Sequence, residues 1–153
     1  VNSTLYGVTF AGDLMTLAYK TSVIAYPPVD WEGIYKQGSV LTFPASDPQG
    51  LTAVLLYYGA GGKFLLEQDK LTLDENALQS GLQTLYDGAS AEIFPFWMLD
   101  YKSFAESNSN FNSTQSAYEI TWSSLILNGD DENIAITAIP GTKMDTSRRR
   151  RCR

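Results

Sequence analysis

The sequence predicts a mostly β fold: an antiparallel β-sandwich, immunoglobulin-like or fibronectin-like, with at most one or two short helices. Three observations support this prediction. Aromatic and β-branched residues recur in short runs, Gly, Pro and Asn interrupt these runs, and one run alternates between apolar and polar positions. The predicted strands cover residues 5–10, 15–26, 38–43, 51–58, 63–67, 91–99, 117–127 and 133–139.

The alternating run gives the clearest strand signal. Tyr118, Ile120 and Trp122 fall on one face of the seventh predicted strand, and Glu119 and Thr121 fall on the other. Apolar and polar residues that alternate in this way are typical of a half-buried antiparallel strand. We therefore expect the face with Glu119 and Thr121 to meet solvent.

Turn residues separate the predicted strands. Asn128-Gly129 between the last two runs is a strong hairpin signal, and residues 59–62 (GAGG) predict a second hairpin. Pro27-Pro28 ends the second predicted strand, because proline lacks the amide proton that a strand ladder needs. Residues 102–116 are polar and are predicted to form a long loop.

The sequence contains one convincing helix, at residues 74–86. Asp74 can cap it, and Leu78, Leu82 and Leu85 would share one face. Gly81 weakens the prediction by about 1 kcal/mol relative to alanine. Apolar and polar residues also alternate from 78 to 86, so a strand stays open as the alternative.

Charge divides the chain into a domain and a tail. Residues 1–142 are predicted to form a single β-rich domain, with sixteen Asp and Glu against five Lys. Residues 143–153 contain five Arg and are predicted to be a basic, flexible tail: a solvated end, a vector-derived extension, a processing site or an anchor on acidic surfaces. An acidic domain repels phosphate, so we expect no nucleic-acid partner for it. No apolar run is long enough for a membrane span.

The residue types that are missing narrow the chemistry. The chain has no histidine, and its single cysteine is Cys152 in the tail. A Ser-His-Asp triad, a Cys-His pair, a zinc finger and an internal disulfide are therefore excluded for residues 1–147. We expect no catalytic residue, cofactor or metal site. A glycoside hydrolase built on carboxylates stays as an alternative, because that reaction needs only two Asp or Glu.

Several short motifs have an ordinary structural interpretation. Residues 59–63 (GAGGK) lack the flanking residues of a phosphate-binding loop. The run 130–132 (DDE) offers oxygen ligands for calcium but is more often a solvated turn. Asn2 and Asn112 each begin an N-x-Ser/Thr sequon, so both are candidate glycosylation sites in a secreted protein. A secreted or extracellular location is favoured, with a cytoplasmic one as the alternative.

Trp31 is the candidate ligand-binding aromatic residue. It follows the two prolines, and Asp30 and Glu32 flank it. An indole near solvent can stack on the apolar face of a sugar while neighbouring carboxylates accept hydrogen bonds from its hydroxyl groups. The alternative is that Trp31 packs in the core, as large aromatic residues usually do.

Three sequence words resemble the fungal immunomodulatory proteins, a lectin-like family. They are residues 17–19 (LAY), 26–33 (YPPVDWEG) and 41–44 (LTFP). The resemblance implies an immunoglobulin-like or fibronectin-like sandwich that binds cell-surface glycans or glycoproteins without catalysis. It also implies a homo-oligomer, and it places Trp31 and Thr42 at the ligand site.

A non-catalytic, lectin-like binding protein is thus the function that the sequence favours. A structural or self-assembling extracellular subunit, such as a filament, coat or adhesin, is the alternative that long apolar strands would support. The remaining alternatives are a glycoside hydrolase and a small-ligand-binding α+β fold built around the helix at 74–86.

Overall fold

The fold is a small mixed sheet surrounded by helices. The computed structural model describes residues 12–67, 69–129 and 131–141. The strands are β1 (Met15–Lys20), β2 (Leu41–Thr42), β3 (Leu65–Glu67), β4 (Lys70–Thr72), β5 (Tyr118–Trp122) and β6 (Ile134–Thr137). The helices are α1 (Trp31–Gln37), α2 (Leu51–Gly59), α3 (Glu75–Ser90), α4 (Phe104–Phe111) and α5 (Ser123–Leu127), with a 3₁₀ turn at Phe96–Asp100.

This mixed α/β architecture contradicts the predicted β-sandwich. The main sheet has the strand order β2-β5-β1-β6, and β3 pairs with β4 in a separate two-stranded sheet. β1 runs antiparallel to both β5 and β6, so that Leu17 lies opposite Ile120 on one side and Thr137 on the other. β2 runs parallel to β5. Helices occupy chain that the sequence had assigned to strands and loops.

The core lies on the face of the sheet that carries Leu17, Leu41 and Ile120, all of them inaccessible to solvent. Residues from α1, from α2 and from the segment after α3 cover this face: Trp31, Ile34, Leu56, Ile93, Phe94 and Met98. Burial of this continuous apolar cluster supplies the main driving force for folding.

The predicted strands at 15–26, 117–127 and 133–139 exist, but they are shorter than predicted. β1 ends at Lys20, and β5 ends at Trp122 because the chain turns into α5. The predicted strand at 38–43 shrinks to two residues, and the one at 63–67 to three. The predicted strand at 5–10 lies outside the described residues.

The predicted strand at 51–58 is wrong, since this segment forms α2. Its apolar residues follow one another without a helical period, which made it resemble a buried strand. The start of the helix is set by Asp47, whose carboxylate accepts hydrogen bonds from the backbone of Gln49 and Leu51. Apolar residues occur on every side of α2 although only Thr52, Leu56 and Tyr57 are buried, so periodicity could not identify this helix.

The predicted loop at 102–116 contains α4. Ser103 caps this helix by accepting a hydrogen bond from the Glu106 amide, and Glu106 accepts one from the amide of Lys102. Ser-x-x-Glu is the capping-box pattern. That signal was present in the sequence, but the polar composition of the segment masked it.

Three other predicted elements also differ. Residues 91–99 form a turn and the 3₁₀ segment instead of a strand. Asn128-Gly129 connects α5 to β6, and residues 59–62 connect α2 to β3, so neither joins two strands. Both segments are turns, but each follows a helix instead of a strand because the preceding run is helical.

The predicted helix at 74–86 is confirmed as α3, and it extends to Ser90. Asp74 caps it by accepting hydrogen bonds from the amides of Asn76 and Ala77. The buried residues of α3 are small: Ala77, Gly81, Thr84 and Gly88. Because Gly81 has no side chain, α3 can approach the α2 backbone closely.

Gly88 gives a test of this close packing. A Cβ atom added there would lie 2.2 Å from a ring carbon of the buried Phe94, so the substitution Gly88→Ala should destabilise the fold by about 1–3 kcal/mol. Gly59→Ala is the control, because a Cβ there would meet only an ordinary 3.9 Å contact. Chemical denaturation of both variants measures the difference. Equal stabilities would contradict the packing described here.

Candidate functional site

A polar groove of about 430 Å³ lies between α1 and α3. Aromatic residues from α1 form one side, and polar residues from α3 form the other. The lining residues are Asp30, Trp31, Glu32, Tyr35, Gln79, Ser80, Gln83, Thr84, Asp87 and Gly141. Two of the three ligand-binding residues that the sequence predicted, Asp30 and Trp31, belong to this groove.

Asp30 places the start of α1 at the groove. Its carboxylate accepts a hydrogen bond of 2.8 Å from the amide of Gly33, which makes Asp30 the N-cap of the helix. Its backbone also pairs with Gly141, so the segment after β6 borders the groove. Asp30 therefore has a structural role in addition to its place in the lining.

Trp31 lies deeper than the sequence hypothesis of a stacking platform requires. Its side chain is 6% exposed. The indole packs against Tyr35 at 6.2 Å and edge-on to Phe94 at 6.3 Å between ring centroids. Most of the indole thus belongs to the core, and its exposed edge contributes to the wall of the groove.

Tyr35 is the second aromatic residue of the wall. Its hydroxyl donates a hydrogen bond of 3.0 Å to the backbone carbonyl of Thr84, which ties α1 to α3 across the groove. Burial raises the pKa of Tyr35 to about 12, and the nearby Asp87 carboxylate adds to this effect. The hydroxyl consequently stays protonated at physiological pH.

The polar wall comes from one face of α3. Gln79, Gln83 and Asp87 are spaced four residues apart, so they align along the helix. The Gln83 amide donates a 2.7 Å hydrogen bond to the Asp87 carboxylate. The Gln79 side chain has no hydrogen-bond partner among the described residues and is exposed. Sequence reasoning missed these residues, although their spacing within the predicted helix was a usable signal.

The groove is acidic. Asp30, Glu32 and Asp87 line it, and none of its described lining residues is basic. Glu32 forms an exposed ion pair of 2.9 Å with Lys36, which follows it by one helical turn. Exposed ion pairs of this kind contribute little to stability. The lining therefore disfavours anionic ligands and suits groups that donate hydrogen bonds.

Thr42 lies apart from this groove. It is 1% exposed, and its hydroxyl donates a hydrogen bond of 3.3 Å to the carbonyl of Tyr118 within the sheet. The structure thus brings Asp30 and Trp31 together but leaves Thr42 in the interior. The ligand set implied by the family resemblance does not converge on one surface.

The other motifs of the sequence have local roles. Asn112 is exposed directly after α4, whereas Asn2 lies outside the described residues. Asp131 accepts hydrogen bonds from its neighbour Asn133 and so forms a turn. Within residues 12–67, 69–129 and 131–141, no cluster of three acidic side chains could hold a metal ion.

Glu119 contradicts the prediction that its strand face meets solvent. It is fully buried between the sheet and α4, and its carboxyl group accepts a 2.9 Å hydrogen bond from Asn108. Thr121, on the same face, is equally buried. Burial raises the pKa of Glu119 to about 7, while the hydrogen bond from Asn108 offsets part of this effect. Glu119 and Thr121 are buried because α4 covers the strand face that the sequence predicted to be exposed to solvent.

Asp13 shows the opposite electrostatic behaviour. Its carboxylate accepts hydrogen bonds from the Ser124 and Ser123 hydroxyl groups and from the backbone amide of Ser124. These hydrogen bonds lower the pKa of Asp13 to about 2. The cluster joins the start of β1 to α5 at one end of the sheet, and sequence reasoning missed it because the partners are about a hundred residues apart.

No protein-family model and no curated protein sequence matches this chain. Within the part of the chain that the structure describes, no helix has both the length and the apolar character of a membrane span.

Proposed function

We propose that this protein is a non-catalytic binding protein whose ligand is a neutral carbohydrate, held in the groove between α1 and α3. The supporting observation is the pairing of an aromatic wall, formed by Trp31 and Tyr35, with a row of carboxylate and amide groups on α3. Sugars offer both apolar C–H faces and many hydroxyl groups. A groove that is aromatic on one side and polar on the other matches both properties.

The size and charge of the groove narrow the ligand class. A volume of about 430 Å³ lies at the lower end of the range for small-molecule sites, so one or two sugar rings would fill it. The carboxylates of Asp30 and Asp87 would accept hydrogen bonds from sugar hydroxyl groups. Sialylated or uronic-acid sugars would meet like charges, which are repelled. Neutral hexose units are therefore the preferred class.

The position of Glu119 excludes this residue as the acid of a glycosidase acting in the groove. A glycosidase needs a protonated carboxyl group that reaches the glycosidic oxygen. The pKa of Glu119, about 7, would suit that role. However, this side chain has no solvent exposure and does not line the groove. A sugar in the groove could not reach it.

Two amide side chains give the sharpest test. Gln79 and Gln83 are exposed on α3, so their replacement by alanine should leave the fold intact. Each hydrogen bond lost contributes about 0.5–1.5 kcal/mol. The double variant should therefore bind a neutral oligosaccharide about tenfold more weakly. A glycan array finds the ligand, and titration calorimetry measures the change.

Gln49→Ala is the matched control, because Gln49 is an exposed glutamine outside the groove. It should leave both affinity and melting temperature unchanged. The array should also show neutral glycans bound in preference to sialylated ones. Unchanged affinity in the double variant, or preferential binding of sialylated glycans, would refute this assignment.

Self-assembly is the second candidate function, and one observation favours it. The β3–β4 hairpin exposes Leu65, Leu66 and Leu71, with Leu66 72% exposed. Apolar strands with open edges tend to pair with other copies. Light scattering over a range of protein concentrations distinguishes the two functions, because a monomer at every concentration would exclude assembly through the hairpin.

A further inference from the structure

A second cavity, of about 650 Å³, lies at the C-terminal end of α3. The C-terminal half of α3, the chain after β2 and the 3₁₀ turn enclose it. Its lining is apolar except for one carboxylate, and consists of Phe43, Ala45, Leu85, Ala89, Glu92, Phe94, Pro95, Phe96, Met98 and Leu99. It shares no lining residue with the carbohydrate groove.

The base of this cavity is buried, and its edge is open. Phe43 and Phe94 are buried and meet edge-to-face with ring centroids 5.2 Å apart, and Met98 beside them is 1% exposed. At the edge, Phe96 is 86% exposed and Leu99 is 50% exposed. Two such large apolar side chains beside an apolar cavity can cover an apolar ligand body.

Glu92 supplies the charge. It adopts φ 57°, in the left-handed region that glycine favours, and its amide bonds to the carbonyl of Ala89 at the end of α3. This is the left-handed residue of a Schellman helix end, which the Ile93 amide completes by donating to the carbonyl of Gly88. Among the described residues that line the cavity, Glu92 alone carries a charge. No described basic side chain there neutralises it.

An apolar cavity with one carboxylate in its lining suits a ligand that has an apolar body and a positive charge. An aromatic or aliphatic body fills the space between the phenylalanine rings, and a protonated amine at one end meets the Glu92 carboxylate. Phenylalanine faces add a favourable cation–π interaction with the same amine. An anionic ligand of the same shape would be repelled by Glu92 and by the acidic domain as a whole. We propose that this cavity binds an amphipathic amine.

Three probes with the same indole-ethyl body test the proposal: tryptamine is cationic, tryptophol is neutral and indole-3-propionate is anionic. Each is titrated into the isotope-labelled full chain, and amide shifts are followed by NMR. Tryptamine should bind up to about tenfold more tightly than tryptophol, since an exposed ion pair and a cation–π contact each contribute modestly. Indole-3-propionate should bind most weakly. The shifts should map to residues 89–99.

Two variants separate the charge from the cavity. Glu92→Gln should remove the ion-pair part of the preference for tryptamine over tryptophol and leave the affinity for tryptophol unchanged. Ala89→Phe, an exposed helix position that faces the cavity, should weaken binding of all three probes. Asp100→Asn is the control for the loss of one negative charge, because Asp100 does not line the cavity. It should bind as the unmodified chain does.

The outcomes that overturn the proposal are distinct from those of the carbohydrate test. Equal affinities for the three probes would refute the amine site. An unchanged preference of the Glu92→Gln variant for tryptamine over tryptophol would refute it as well. Shifts centred on Gln79 and Gln83 would move the amine to the carbohydrate groove. Absence of binding by every probe would also overturn it. Apart from shifts centred on Gln79 and Gln83, these results leave the sugar proposal unaffected, since the two cavities share no lining residue.

Discussion

Replacing Trp31 with alanine is expected to destabilise the protein by roughly 3–5 kcal/mol, the usual cost of deleting a large buried aromatic side chain. The indole is 6% exposed and packs against Tyr35 and Phe94. Its loss leaves a void next to the ring cluster, where close-packed neighbours relax only in part. The expected loss is a large fraction of the 5–15 kcal/mol that stabilises a typical domain.

Chemical denaturation followed by circular dichroism measures this loss. Tyr26→Ala is the matched control, because Tyr26 is an aromatic residue of the same segment with 85% of its side chain exposed. It should change the free energy of unfolding by less than about 0.5 kcal/mol. Trp31→Phe should fall between the two. If Trp31→Ala were as stable as Tyr26→Ala, the indole could not lie in the core.

The second large effect concerns pH. The pKa of Glu119 is about 7 in the folded protein, because burial disfavours the charged form; in the unfolded chain it returns to its ordinary value near 4.5. The folded state therefore binds one more proton between these values, and stability falls as pH rises through this interval. The difference between these two pKa values corresponds to roughly 3 kcal/mol of the free energy of unfolding. This contribution is fully present below the pKa of Glu119 in the unfolded chain, and it is lost above the pKa in the folded protein.

Glu119→Gln removes the titrating group while keeping its shape and its contact with Asn108. The free energy of unfolding is measured for both proteins between pH 4 and pH 8. The variant should be the more stable one near pH 8, and the difference should shrink as the pH falls. Glu132→Gln, at an exposed carboxylate, should track the unmodified chain throughout. A pH-independent difference for Glu119→Gln would refute the raised pKa.

Tyr101 does not interfere with this measurement. It is the titratable neighbour of Glu119, and burial raises its pKa above the ordinary value of 10. Its titration therefore falls outside the interval from pH 4 to pH 8. Asp13, whose pKa in the folded protein is about 2, is present in both proteins, so its titration cancels in the difference between them.

Sequence patterns identified elements whose signal is local. The start of α3 was predictable because a capping carboxylate, Asp74, precedes residues with helical spacing. The existence of β1, β5 and β6 was predictable because strand propensity and alternation act over five or six neighbouring residues. In the candidate site, Asp30 and Trp31, which the sequence suggested as ligand contacts, both line the groove between α1 and α3. The alignment of Gln79, Gln83 and Asp87 followed from the helix but went unrecognised.

Other elements depended on distant partners. The run 51–58 contains residues that suit either a strand or a buried helix, and packing against α3 selects the helix. The polar face of β5 has the pattern of a solvent-exposed surface, yet α4 covers it and buries Glu119. The sequence resemblance suggested Thr42 and Trp31 as ligand contacts. In the structure Thr42 is buried in the sheet and does not line the groove, and most of the Trp31 side chain is buried in the core.

The sequence by itself determined which reactive residue types this chain contains and the charge that it carries. Without histidine, and with one cysteine near the C-terminus, the chain excludes the residue sets of many enzymes, and its acidic composition disfavours anionic partners. Tertiary structure alone decided which side chains are buried and which share a cavity. The physical reason is range: residue types and short-period patterns are local properties, whereas burial and convergence depend on contacts between segments far apart in the chain.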